Sequence, residues 1–255
     1  MKSFGLKQKI NTKVTVGSWL TIDNEIIAEI ASGMGFDWLT VDMEHGAIDF
    51  NMAQKLVRVI ELSGVAPLVR VSENNADLIK HAMDTGAHGV IVPMVKTAAD
   101  ARRAVEAVRY PPYGKRGVGL ARAQGYGLTF NEYRRWVARE SVAVAIIEHI
   151  DAINNLEEIL SVEGIDATMI GPYDLSGSMG HPGEFDRAEV KAAINKYMKI
   201  CKAMKKTPGL HLVEPDGVLL NQKIKAGFRF LAFGVDELFF ARKIQQELKQ
   251  VKRHG

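Results

Sequence analysis

Short apolar runs rich in β-branched residues alternate with longer stretches of helical period along the chain, a pattern that predicts repeated strand–helix units. The strands read as 14–19, 38–42, 67–70, 89–93, 142–148, 167–171, 208–212 and 230–234. Helical stripes follow over 23–33, 51–63, 75–85, 97–108, 151–160, 187–205, 216–226 and 236–252, with a further short segment near 131–139. In 51–63, for instance, Met52, Leu56, Val59 and Ile60 share one face, while Asp23 and Asn51 stand where helices would begin. Strands apolar on both faces, each returning through a helix, belong to parallel sheets covered on both sides. The expected fold class is therefore α/β, a single closed (β/α)8 TIM barrel over 1–255. An open doubly wound sheet is the alternative.

One connection breaks the rhythm. The segment YPPYGKRGVGLARAQGYGLTF (110–130) is long, glycine-rich and basic, and loops of this length in a compact domain are usually functional or disordered. It is expected to be a lid or a subunit contact, with an idle surface excursion as the plainer alternative.

Composition narrows the partners. The 255 residues suffice for one well-buried core, and 47% apolar with 25% charged residues is an ordinary globular balance. The net charge is only +3, and basic residues concentrate solely in KQVKRHG (249–255), which reads as a solvated helix end rather than a nucleic-acid surface. The apolar run VAVAII is far too short to span a membrane, and MKSFGLKQKI lacks the apolar centre of a secretory signal. Cys201 stands alone, so neither an intrachain disulfide nor a thiolate cluster is expected, and the reducing cytoplasm is the simplest location.

In a (β/α)8 barrel the chemistry gathers at the C-terminal ends of the strands. Those ends carry Trp19, then Asp42 with Glu44 and His45, then Arg70, Pro93, Glu148, Asp174, and His211 with Glu214. Glu148 and Asp174 sit just past neighbouring strands, as a hard divalent cation would require if water or an oxygen-rich 2-oxo acid filled its other positions. The plainer alternative pairs Glu148 with an arginine and makes Asp174 a helix cap. His45 beside Asp42 suggests a general base with its tautomer fixed by a carboxylate, against a satisfied loop histidine. Arg70 at the barrel mouth needs an anion, either Asp42 or Glu44 or a substrate oxyanion. Gly171 allows close backbone approach, and the amides around Tyr173 suit a carboxylate if a helix starts there.

These residues lie in segments that resemble the metal-dependent class II pyruvate aldolases of the HpcH/HpaI group, which includes 4-hydroxy-2-oxoheptanedioate and 2-keto-3-deoxy sugar acid aldolases. The matching stretches are GFDWLTVDMEHG (35–46), PLVRV (67–71), 90–119, IIEHIDAINNLEEILSVEGIDATMIGPYDLSGSMG (146–180) and FLAFGVD (230–236), in family order over essentially the full length. The resemblance implies a divalent ion (Mg²⁺, Mn²⁺ or Co²⁺) on Glu148 and Asp174, with pyruvate chelating it. It implies Arg70 stabilising the enolate oxygen, His45 oriented by Asp42 as the base, and a carboxylate cradle at Gly171, Pro172 and Tyr173. Trp19 and Leu212 match positions lining the pyruvate pocket, and Asp84 matches an acidic residue near a subunit contact. Members of the group are typically hexamers in which the last helix, here 236–252, packs on a neighbour.

Two departures bear on specificity. Family members often carry Gln where this chain has Ile146, and the run GVGLARAQGYG, with Arg122, Gln124 and Tyr126, differs from the usual loop. By alternation with Leu210 and Leu212, His211 is expected to face outward. The leading reading is an aldolase, a lyase interconverting a 4-hydroxy-2-oxo acid with pyruvate and an aldehyde. The alternatives are a citrate-lyase-like acyl-CoA lyase and a non-catalytic 2-oxo acid binding protein. A Schiff-base mechanism is disfavoured, since Lys96 lies beyond the fourth strand and the sixth offers no lysine.

Overall fold

The computed structural model describes residues 3–251. After α1 (Leu6–Thr12) the chain alternates through β1 (Thr15–Leu20), α2 (Glu25–Ser32), β2 (Trp38–Asp42), α3 (Phe50–Leu62), β3 (Ala66–Arg70), α4 (Ala76–Asp84), β4 (Gly89–Val92) and α5 (Ala98–Val108). A short 3₁₀ turn (Arg122–Gln124) and α6 (Phe130–Glu140) precede β5 (Val142–Ile147). There follow α7 (Ile150–Asn154), α8 (Leu156–Leu160), β6 (Ala167–Ile170), α9 (Pro172–Ser178), α10 (Ala188–Ala203), β7 (Pro208–Leu212), α11 (Gly217–Lys225), β8 (Phe230–Val235) and α12 (Asp236–Leu248). All eight strands pair in parallel, and β8 closes on β1. The expected barrel is the observed one.

Local chemistry sets the helix starts. Thr97 and Asp100 exchange side-chain and backbone hydrogen bonds in a capping box at α5, while Asn24, Asp49, Asn75 and Asp216 cap α2, α3, α4 and α11. The caps of α2 and α3 are thus Asn24 and Asp49, not Asp23 and Asn51. The stripe expected over 151–160 breaks at Asn155, whose side chain donates to the Lys96 carbonyl (2.9 Å). The last helix ends at Leu248, and residues 252–255 of the basic tail lie outside the described residues.

Two cores flank the barrel wall. The outer one packs helices on the sheet, and the inner one stacks Trp38, Ala66, Leu68, Ile91, Val144 and Phe230 inside the barrel. Helix α1, not foreseen from the sequence, adds Leu6 and Ile10 to the inner core and so plugs the N-terminal end.

The 110–130 connection is not a lid over this chain's own site, because its anchors lie at the N-terminal end of the barrel. Arg116, fully buried, donates to the Tyr133 hydroxyl (3.0 Å), pairs with Asp84 at the end of α4, and lies 4.8 Å from the Tyr110 ring centroid. Gln124 donates to the Tyr110 hydroxyl (2.7 Å), and Arg122 donates to the Thr85 carbonyl (3.0 Å) and pairs with Glu61 at the end of α3. Burying these polar groups demands partners, and each anchor finds one within the chain.

Candidate active site

Asp42 and Arg70 close β2 and β3 in register, so their side chains stand side by side at the barrel mouth. Arg70 grips Asp42 with two parallel hydrogen bonds, Nε to Oδ1 (2.8 Å) and Nη2 to Oδ2, and its Nη1 lies 3.0 Å from Glu44 Oε2. The guanidinium carbon sits 4.2 Å from the Trp19 ring centroid. A planar fork held on three sides has little rotational freedom left. The intrachain pairing of Arg70 is therefore present, with part of the side chain still lining the cavity.

Asp42 plays a different part from the one expected. Its Oδ1 accepts from the backbone amides of Glu44 (3.0 Å) and His45 (3.3 Å) as well as from Arg70, and no hydrogen bond joins it to the His45 imidazole. The expected His45–Asp42 hydrogen bond is thus not formed in this structure, where Oδ1 takes the guanidinium and two amides and Oδ2 the second guanidinium nitrogen. His45 is exposed on the rim loop.

Glu148 is buried just beyond β5, and its Oε1 accepts the Met94 amide (2.6 Å). Met94 pays for that aim with φ 53, a left-handed conformation uncommon outside glycine and often found at functional sites. A Cβ at Gly171 would lie 2.9 Å from the Glu148 Cβ, so only glycine lets the end of β6 approach this carboxylate. Helix α9 then starts with Pro172 in its first turn and carries Asp174 at the mouth, exposed and not as the cap. Pro172 has no N–H, and the Gly171 amide is committed to the Ile147 carbonyl (3.2 Å), so the amides left for an anion are those of Tyr173 and Asp174.

Burial pushes Glu148 up to about 7, reinforced by the charges of Glu44 and Asp174 and opposed by the Met94 amide. Glu44 also rises to about 7, chiefly by burial, with Arg70 lowering it and Asp42 and Asp174 raising it. Although Glu44 Oε2 is close to Arg70, it is buried without an aligned hydrogen bond. The mutual repulsion of these carboxylates and the unsatisfied buried oxygen of Glu44 are the features a cation bound by Glu148 and Asp174 would relieve. Among the described residues no three His, Cys, Asp or Glu side chains converge to hold an ion, so an ion here would have only two protein carboxylates, Glu148 and Asp174.

Trp19, Arg70, Glu148, Gly171, Pro172, Tyr173 and Asp174 line one compact cavity of about 80 Å³. Ile146 forms part of its wall, so the departure from Gln falls in the site itself. Leu212 does not line it; His211 and Val213 do, because the alternation in β7 is the reverse of the one expected. The His211 ring packs 5.3 Å from Trp19, with Nε2 3.1 Å from the Gly234 carbonyl, and burial drives its pKa down to about 4, so it is neutral. The sequence pointed to Glu44 only as a partner for Arg70, and the Met94 amide carried no sequence signal. Larger cavities open at the other end of the barrel, but of the three this is the one that gathers carboxylates around a fixed guanidinium.

A (β/α)8 barrel with a polar cluster at its strand ends is the arrangement in which barrel enzymes place their chemistry. The family model described as HpcH/HpaI aldolase/citrate lyase matches residues 15–242, and the chain belongs to that family. Membership makes it a carbon–carbon lyase. It is 37% identical over 242 residues to the 2-keto-3-deoxy-L-rhamnonate aldolase of Escherichia coli (strain K12), covering 94% of this chain and 90% of the relative. An HpcH/HpaI aldolase/citrate lyase family protein from Burkholderia cenocepacia J2315 superposes with TM-score 0.92 at 28% identity, covering 98% of this chain and 100% of that one. The HpcH/HpaI aldolase from Desulfitobacterium hafniense DCB-2 gives TM-score 0.88 at 28% identity, covering 98% and 97%.

Proposed function

We infer that the protein is a class II pyruvate aldolase, interconverting a 4-hydroxy-2-oxo acid with pyruvate and an aldehyde. The observation that carries this reading is the immobilised Arg70 on the wall of a cavity that also holds Glu148 and Asp174. In cleavage the C4 hydroxyl gives up its proton, the C3–C4 bond breaks, and its electron pair passes into the 2-oxo group to give the enolate of pyruvate. A divalent cation (Mg²⁺, Mn²⁺ or Co²⁺) would be held by Glu148 and Asp174 and would supply Lewis-acid stabilisation of that charge. Arg70, pre-oriented by Asp42, Glu44 and Trp19, adds a fixed positive edge without reorganising during the reaction. The Tyr173 and Asp174 amides at the start of α9 hold the substrate carboxylate. His45, with no side-chain hydrogen bond among the described residues, takes the hydroxyl proton through water and returns it to the enolate carbon.

The substrate named for the E. coli relative is itself a 4-hydroxy-2-oxo acid, which favours the aldolase over the citrate-lyase-like alternative. The test is pyruvate release, coupled to lactate dehydrogenase, from 2-keto-3-deoxy-L-rhamnonate and a panel of 4-hydroxy-2-oxo acids with and without EDTA. Release abolished by the chelator and restored by Mg²⁺, Mn²⁺ or Co²⁺ is expected; release indifferent to EDTA, or none across the panel, overturns the reading.

The assembly belongs to the same proposal. Helix α12 buries none of its side chains and exposes Phe240, Ile244 and Leu248 along one face, which supports a homo-oligomer, of hexameric order in keeping with the family, with this helix and the 117–128 stretch of the long loop, beside Asp84 and exposing Val118, Leu120, Tyr126 and Leu128, at subunit contacts. No helix is long and apolar enough to cross a membrane. A cytoplasmic location and small-molecule partners, without nucleic acid, complete the picture.

A further inference from the structure

We propose that the N-terminal end of the barrel carries a second ligand site, for an organic phosphate bearing a flat ring. Two cavities there, of about 380 and 570 Å³, share Arg109, Tyr113, Ala138 and Arg139 and so form one groove. It runs from the loop after α5 across α6 to residues that precede β6 and β7, the opposite end from Glu148 and Asp174.

Charge along this groove is unbalanced. Among the described residues, Arg109, Arg134, Arg139 and Lys206 have no carboxylate within ion-pair distance, whereas Arg103, Arg116, Arg122, Arg187 and Arg242 each have one. The acids do not cancel them. Asp166 is committed by contact to Lys7 (3.0 Å) and to the Ala143 amide (3.0 Å) and feels Arg109 only at longer range, which leaves Glu163, exposed at one margin. Four cations facing a shared groove with one unpaired acid favour an anion with several oxygens, and guanidinium forks suit phosphate in particular.

Two details fix where such a ligand would lie. Arg109 is half-buried and rests on the backbone at Gly164, which has φ 103; a Cβ there would fall 2.9 Å from the guanidinium carbon. Glycine thus keeps open the seat of the groove's innermost cation. Tyr113, in both cavities, is exposed, forms no ring pair among the described residues and makes no hydroxyl hydrogen bond. An unoccupied aromatic face beside unpaired guanidinium groups supplies a stacking platform for a ring attached to the phosphate.

The test is calorimetric titration of the full-length protein with ADP in EDTA, with inorganic pyrophosphate and adenosine as comparators. ADP is expected to bind with Kd below about 1 mM, adenosine much more weakly, and saturating oxalate is expected not to compete. The exposed pair R134A/R139A should weaken ADP and pyrophosphate about tenfold or more, while Y113A should weaken ADP severalfold and leave pyrophosphate unchanged. Unchanged melting temperatures verify that these variants fold. No ADP binding, binding unaffected by R134A/R139A, or displacement by oxalate overturns the site, and indifference to Y113A overturns the ring-binding half. Since the assay contains neither aldol substrate nor metal, its failure leaves the aldolase reading untouched.

Discussion

At the C-terminal end of the barrel Glu44, Glu148 and Asp174 repel one another, Arg70 is shared between two acids, and Met94 is bent into a left-handed conformation to steady one carboxylate. At the N-terminal end Arg116 meets Asp84, Arg122 meets Glu61 and Asp166 meets Lys7, above a plug of Leu6 and Ile10. One fold thus keeps frustrated charge in the buried site where a reaction needs it and pairs the inner charges of the opposite end where the structure must hold, leaving unpaired cations there only along the surface groove. Stability and activity should then separate by end, and substitutions that swap the two roles are the sharpest way to test the contrast.

The largest effect is expected at Glu148. Glu148→Gln keeps the shape and an acceptor for the Met94 amide but removes a charge the cation requires, so kcat/KM should fall about 10³-fold or more. The melting temperature should hold or rise, because a repelling charge has gone; a loss of stability without loss of activity would break the contrast. Next comes Asp84→Ala, which strands the fully buried Arg116 and should cost about 3 kcal/mol of unfolding free energy in urea titration. The folded fraction should keep its kcat.

The smallest effect is a pH dependence. Glu44 and Glu148 are raised from 4.5 to about 7 in the fold, so their contribution to the stability of metal-free protein is full below about 4.5 and is lost as pH rises through 7. Cation binding needs the ionised forms and runs the other way, so apparent Mn²⁺ affinity should grow about tenfold per pH unit per displaced proton below 7, then level off. Calorimetry from pH 5.5 to 8.5, about three units, measures this directly; a flat profile would remove the proposed charge frustration.

The legibility of the sequence divides along the same axis. All eight strands and the main helices follow from periodicity, and Asp42, Arg70, Glu148 and the 171–174 turn follow from lying at strand ends. What failed to show were facts of three-dimensional contact. Because β7 is apolar on both faces, its sequence does not reveal whether His211 or Leu212 turns inward. Asp42 and His45 are near in sequence, but a carboxylate's partner is settled by register, and β3 delivered Arg70 instead. Helix α1 shows only two apolar positions, too few for a stripe, and the anchoring of Arg116 and Gln124 is invisible in a segment whose composition signals only a loop.

The seating of Leu6 and Ile10 inside the barrel has a kinetic corollary. Filled behind by Trp38, Leu68, Val144, Phe230 and this plug, the barrel is a packed core rather than a tube, so the reactants of the proposed reaction would reach the cavity from its C-terminal face, past α9. Their order of arrival and departure then becomes a property of that one threshold, and the last fragment to enter shields the first from leaving.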